Sequence, residues 1–238
     1  MPTLDKFHIM PFSQLGLDAR ILTAVQEAGY TEPTPIQTAA IPPILAGSDL
    51  IGIAQTGTGK TAAFTLPILT RLAVPAAGLP RRGTRVLVIA PTRELVLQIE
   101  ENVRAYAKHL PLSIATVFGG VGEQPQIRAL RAATDIVVAC PGRLLDLMGR
   151  RCADFSGLQF LVLDEADRML DMGFLPSIRQ IVRSLPKQRQ TLMFSATLFA
   201  RSLRSGIEAP DVLIVRSLRS RRLERRGRRS ANVCATCE

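Results

Sequence analysis

Tryptophan is absent from this chain, and tyrosine and phenylalanine together supply only eleven of its 238 residues. Its core must therefore be built mainly from aliphatic side chains. Long apolar runs are also missing. The richest stretch, Phe64 to Leu79, is broken by Arg71 and by prolines, so no membrane-spanning segment is expected. The first residues include Lys6 but no apolar signal segment, which argues against secretion. Cysteine is scarce: four residues in no regular framework fit a reducing cytoplasm rather than a disulfide scaffold. Disorder throughout is excluded by an apolar content of 47%.

Acidic residues fall short of basic ones, leaving a formal net charge of +10. The excess is uneven. From Arg216 to Glu238 eight arginines face only Glu224 and Glu238, a local +6 that leaves +4 for the rest. The body is mildly basic and the tail strongly so, which makes a polyanion a plausible partner. The length suits one large α/β domain or two small ones.

Short β-branched runs alternate with helical patterns. Strands are expected at 50–54, 85–90, 114–118, 136–139, 160–163, 191–194 and 212–215, several of them apolar throughout. Helices are expected at 17–28, 35–46, 59–72, 93–109, 124–133, 143–148 and 177–185. This alternation predicts an α/β fold: a mostly parallel sheet with helices on both faces and ligands at the carboxyl ends of the strands. The segment 74–84, rich in Pro and Gly, is expected to be an exposed loop.

Two motifs carry phosphate chemistry. Ala54-Gln-Thr-Gly-Thr-Gly-Lys-Thr61 lies between an apolar strand and a helix. Gly57 and Gly59 permit a tight turn that aims backbone N–H groups at phosphate oxygens, and the helix N-terminus adds partial positive charge. Gln55, Thr56 and Thr58 complete the loop, Lys60 is expected at the β- and γ-phosphates, and the Thr61 hydroxyl on Mg²⁺. The usual opening glycine is replaced by Ala54. Roughly a hundred residues later, Asp164-Glu-Ala-Asp167 follows the apolar run Phe160-Leu-Val-Leu163. Asp164 is the expected Mg²⁺ carboxylate and Glu165 the base that orients and deprotonates water. A plainer reading makes these acids dipole-stabilised residues of a helix start. Together the motifs imply that a nucleoside triphosphate is bound and hydrolysed.

Several segments in order, the acidic motif among them, resemble one family. Phe12, Gly29-Tyr-Thr-Glu-Pro-Thr-Pro-Ile-Gln37, Pro91-Thr-Arg-Glu-Leu95, Gly119-Gly120, Pro141-Gly-Arg143, Asp164-Glu-Ala-Asp167 and Ser195-Ala-Thr197 are similar to the first RecA-like domain of DEAD-box ATP-dependent RNA helicases. The likeness is greatest to the RhlE-type bacterial branch and runs from Phe12 to Leu198. It implies a RecA-like P-loop NTPase domain over 1–215, with a glutamine motif at about 10–38. It also implies that Gln37 reads adenine, whose edge a carboxamide matches, with Phe12 packed on the base. Ser195 and Thr197 would bond to Asp167 and couple the ATP site to RNA. Thr92, Arg93, Gly119, Gly120, Gly142 and Arg143 would hold the RNA sugar-phosphate backbone, with little sequence preference. Simpler roles exist for single residues: Gln37 as a helix-start glutamine, the arginines as solvated surface charges. The family's Thr before Pro-Gly-Arg is Cys140 here, a weaker donor.

No segment after Thr197 resembles the family's second RecA-like domain. The segment 216–238 is expected to be a disordered basic tail that adds salt-sensitive RNA affinity. Its composition suggests separate origin or a shifted reading frame. Cys234-Ala-Thr-Cys237 has half the pattern of a zinc site without a second ligand pair. The resulting expectation is an ATP-dependent RNA helicase represented by its first domain, with weak ATPase and no autonomous unwinding. The alternatives are a truncated, non-catalytic ATP- and RNA-binding module and another P-loop motor.

Overall fold

The structure is a computed structural model that describes residues 10–74 and 83–197 and the backbone of 212–216. The expected tail, its cysteine pair and the middle of the 74–84 loop lie outside the described residues. A 3-10 turn (Phe12–Gln14) leads into α1 (Ala19–Glu27) and α2 (Pro35–Leu45). Then come β1 (Asp49–Ile53), α3 (Lys60–Ala73), β2 (Val86–Ile89), α4 (Arg93–Tyr106), β3 (Ile114–Val117) and α5 (Gln124–Arg131). The chain continues through β4 (Ile136–Ala139), α6 (Pro141–Gly149), β5 (Phe160–Leu163), α7 (Ala166–Asp171), α8 (Leu175–Ser184), β6 (Gln190–Ser195) and β7 (Val212–Arg216).

All seven strands pair in parallel in the order β3-β4-β2-β5-β6-β1-β7. The expected parallel α/β sheet is therefore present, with every expected strand in it. The apolar character of the strands has a direct cause. Successive side chains of a strand point to opposite faces, and here both faces are buried. Val86 and Val88 of β2, with Phe160 and Val162 of β5, enter one core together with α1 to α4. Leu87, Ile89, Leu161 and Leu163 enter the other with α5 to α8.

One glycine inside a strand is fixed by packing. Gly52 of β1 pairs with Phe194 of β6, and a Cβ at Gly52 would stand 2.5 Å from the Phe194 ring. That ring fills the space instead and meets Phe64 of α3 at a centroid distance of 5.3 Å. Phosphate-loop helix and sheet thereby pack closely just behind the loop.

Two elements lie outside the helix ranges expected from sequence, the turn at Phe12 and helix α7, each too short to establish a helical period. Helix α6 also starts at Pro141 rather than Arg143, because proline suits the first helical position, where no N–H partner is needed. Gly142 and Arg143 thus lie within its first turn.

Candidate functional site

The strand order gathers the motifs into two groups. Strands β5, β6 and β1 are consecutive in the sheet, so Asp164, Ser195 and Ala54 leave their carboxyl ends side by side. Hydrogen bonding continues past the strands here: Ala54 N–H donates to Ser195 O at 3.0 Å, and Asp164 N–H to Ile89 O at 2.9 Å. The segments bearing Thr92, Gly119 and Gly142 leave β2, β3 and β4 on the other half of the same edge.

The phosphate loop turns through Gly57 and Gly59 at φ of 77° and 87°, a conformation that glycine adopts without penalty. Thr58 Oγ1 donates to Gln55 O at 2.7 Å and closes the loop on itself, leaving Gln55 and Thr56 exposed. Gly59 caps α3, so the first N–H groups of that helix have no intrahelical acceptor. Lys60 is 7% exposed, and its Nζ is buried with no hydrogen-bond partner among the described residues. Such an ammonium is costly unless an anion comes to it. Thr61 is partly exposed one residue further on.

The acidic half of the site stands opposite. Asp164 is 2% exposed. Burial pushes its carboxyl up to about 6, against the pull of the Lys60 charge and of the Glu165 N–H, which donates to it at 2.9 Å. Burial thus disfavours the charged form, and a cation placed beside it would restore that form. Glu165 caps α7 in the left-handed region at φ 49°, a conformation that costs a non-glycine residue roughly 1–3 kcal/mol. Its Oε2 lies 3.2 Å from Arg168 Nη1, a partner that sequence reasoning did not foresee.

Asp167 ties this segment to β6. Its Oδ2 accepts from Ala196 N–H at 3.0 Å and from Thr197 Oγ1 at 3.1 Å, and its Oδ1 accepts from Arg168 N–H at 3.0 Å. Burial acts to raise this carboxyl, but hydrogen bonds from Ser195, Thr197 and the two backbone amides hold it below the usual carboxylate range. Ser195, fully buried, also accepts from Thr197 N–H at 3.2 Å.

Gln37 is fully buried beside the loop. Its Oε1 accepts from Thr34 N–H at 2.9 Å, and its Nε2 donates to Gly59 O at 3.2 Å. A Cβ on residue 59 would collide with that amide nitrogen, so glycine is required there on steric as well as backbone grounds. The first bond caps α2 and the second joins that helix to the loop, which uses half of the carboxamide's hydrogen-bonding capacity and leaves one donor and one acceptor position. Phe12 is 6% exposed and packs in the core on the α1–α4 face, so little of its ring is presented outward.

On the other half of the edge, Thr92 caps α4 by accepting from Leu95 N–H at 3.3 Å. The Arg93 guanidinium lies over the Phe118 ring at 4.9 Å. Gly119 and Gly120 are exposed, and Gly120 turns at φ 78°. Arg143 Nη1 donates to Val121 O at 3.4 Å, and Gly142 is exposed beside it. Cys140 stands at the N-cap of α6 without a side-chain hydrogen bond, and burial, with Glu94 nearby, pushes its thiol up to about 11. Gln126, also unanticipated, is buried beneath this surface and bonded to the backbone of the 118–122 turn. No residue pattern distinguishes it from an ordinary helix-surface glutamine.

Among the described residues no cluster of three His, Cys, Asp or Glu could enclose a metal. The Thr61 hydroxyl and Asp164 carboxylate suit magnesium, which takes one or two protein oxygens and fills its shell with water and phosphate. The buried, unpartnered Lys60 beside them fits a polyphosphate. No helix among the described residues is long and apolar enough to cross a membrane.

Comparison with known proteins agrees with this geometry. The family model for DEAD/DEAH box helicases matches residues 34–205. The DEAD-box ATP-dependent RNA helicase CshA of Streptococcus pneumoniae is 44% identical over 199 residues, covering 84% of this chain and 37% of that protein. The ATP-dependent RNA helicase SrmB of Escherichia coli is 47% identical over 193 residues, covering 80% and 43%. The crystal structure of a DEAD box protein from the hyperthermophile Methanococcus jannaschii aligns with a TM-score of 0.80 at 33% identity, covering 87% of this chain and 56% of that one. The chain spans about two fifths of the length of these curated relatives. Relatives named CshA, SrmB and DeaD stand at 44–47% identity, so the RhlE-type branch is not singled out. With the family model matching residues 34–205 and relatives at 44–47% identity over most of its length, the chain belongs to the DEAD/DEAH box helicase family.

Proposed function

We propose that this chain is the ATP-binding part of an ATP-dependent RNA helicase, taking ATP at the ends of β1, β5 and β6 and an RNA backbone at the ends of β2, β3 and β4. One observation carries the reading: a buried, unpartnered Lys60 ammonium beside a buried Asp164 carboxyl. Neither group is comfortable there without a ligand, and a magnesium-bound triphosphate satisfies both.

In this reading the loop amides from Gln55 to Thr61 and Lys60 Nζ grip the phosphates. Thr61 and Asp164 hold Mg²⁺, which when bound neutralises charge on the phosphate oxygens. Glu165 accepts a proton from the attacking water, once its carboxylate leaves Arg168. Gln37 uses its remaining donor and acceptor for adenine, with Phe12 behind the base. Asp167, through Ser195 and Thr197, links the hydrolytic segment to the end of β6. Arg93 and Arg143 contact successive phosphates, supported by helix N-termini at Thr92 and Gly142.

An arginine finger from a further domain is worth about 10³–10⁵ in rate in NTPases. Without such a domain, these residues are expected to bind ATP weakly, to hydrolyse it slowly and not to unwind duplexes. The test is ATP turnover with and without RNA, for this chain and for the chain joined to a second RecA-like domain. Lys60→Ala is expected to abolish nucleotide binding. Glu165→Gln should retain binding and stop hydrolysis; normal turnover by that variant would remove Glu165 from its role. Retained ATP and RNA binding without turnover in the joined protein would favour a non-catalytic binding module. A preference for GTP would favour a different P-loop motor.

A further inference from the structure

Gln126 lies in the first turn of α5, one residue after a proline, with its side chain turned under the 118–122 turn. It is 7% exposed. Oε1 accepts from Phe118 N–H at 3.1 Å, and Nε2 donates to Phe118 O at 3.1 Å and to Gly122 O at 3.2 Å. The carboxamide thus replaces the strand partner that Phe118 has lost on leaving β3, and it fastens both ends of a turn whose middle is two exposed glycines. That turn has no side chains of its own at Gly119 and Gly120 to hold it, and a glycine pair loses more backbone entropy on ordering than any other pair.

Both basic groups of the RNA-facing half rest on this turn. The Phe118 ring is the platform under the Arg93 guanidinium at 4.9 Å. The Val121 carbonyl accepts from Arg143 at 3.4 Å. One buried amide therefore fastens the turn that meets two arginines on separate helices, α4 and α6, without a hydrogen bond to either arginine. We infer that Gln126 is a positioning residue for RNA: it locks the glycine turn so that Arg93 and Arg143 present their guanidinium groups at a fixed spacing to one strand. This rests on the proposal that those two arginines contact RNA.

The structural alternative is that Gln126 only satisfies buried backbone groups. The two differ in what a variant disturbs. Gln126→Met keeps the side chain's length and removes all three hydrogen bonds. Binding of a labelled oligouridine by the full chain, at fixed salt, is compared with binding of a fluorescent ATP analogue and with the melting temperature. Gln126→Met is expected to weaken RNA about tenfold, the order of one lost charge-assisted contact, while ATP affinity stays within about twofold. In an Arg93→Ala/Arg143→Ala background the same substitution should cost RNA affinity almost nothing, because its effect passes through those residues. Unchanged RNA affinity in Gln126→Met, with Arg93→Ala still weakening binding, overturns the inference alone. An additive loss in the double-arginine background also overturns it. If the arginine variants themselves bind RNA as tightly as the parent, the underlying RNA reading fails and the inference with it. Should Gln126→Met not fold, Gln126→Asn, one methylene too short to reach the turn, is read by the same measurements and the same outcomes.

Discussion

Asp164→Asn tests the electrostatics of the site through stability, with no ligand present. In the folded chain the carboxyl is pushed from 3.8 up to about 6, chiefly by burial. Because the folded value lies above the unfolded one, the folded chain retains a proton between those pH values that the unfolded chain has released. Stability contributed at this group therefore falls as pH rises from 3.8 to about 6 and stays lost at neutral pH. A shift of roughly two units corresponds to about 3 kcal/mol. Asparagine does not titrate, so the stability difference between parent and Asp164→Asn should move against the parent by about 3 kcal/mol between pH 3.8 and 7. Taking the difference cancels the opposite slopes of other acids such as Asp167 and Asp135, whose carboxyls are held below the usual range. Urea unfolding at a series of pH values gives both curves. Adding ATP with magnesium, which favours the charged carboxylate, should flatten the parent's curve. A difference that does not vary with pH, or that moves in the parent's favour as pH rises, would refute the claim that Asp164 is destabilised by burial.

Gly52→Ala places a methyl 2.5 Å from the Phe194 ring, and overpacking of this kind costs about 1–3 kcal/mol in urea unfolding. A Phe194→Leu background should relieve much of that cost; full additivity would show that the ring is not the obstacle. Cys140→Thr supplies a hydroxyl at the N-cap of α6, where the thiol makes no hydrogen bond, and should stabilise the chain by about 1 kcal/mol. The same variant is expected to bind RNA slightly more tightly, and equal affinities at matched salt would dismiss that expectation.

Much of this fold was legible because its strands are buried on both faces. Runs such as Val86–Ile89 and Phe160–Leu163 announce themselves by being wholly apolar. The phosphate loop and the acidic motif were equally plain, since each is contiguous and each follows such a run. Short elements escaped: α7 has only six residues, too few for a period to repeat. So did partners distant in sequence or hidden in an ordinary pattern, such as Arg168 for Glu165 and Gln126 for the glycine turn.

By itself the sequence determined the parallel α/β class and the order of the motifs along the chain, because burial periodicity and local spacing encode both. Only the tertiary structure decided which motifs meet. Strand order set β6 between β5 and β1 and so brought Asp167 to Thr197 across thirty residues of chain. It also buried Lys60 and Asp164 near one another, and that burial is what pushes the carboxyl up against the pull of the ammonium. Burial and through-space charge depend on the whole packed sheet, and no stretch of neighbouring residues contains them.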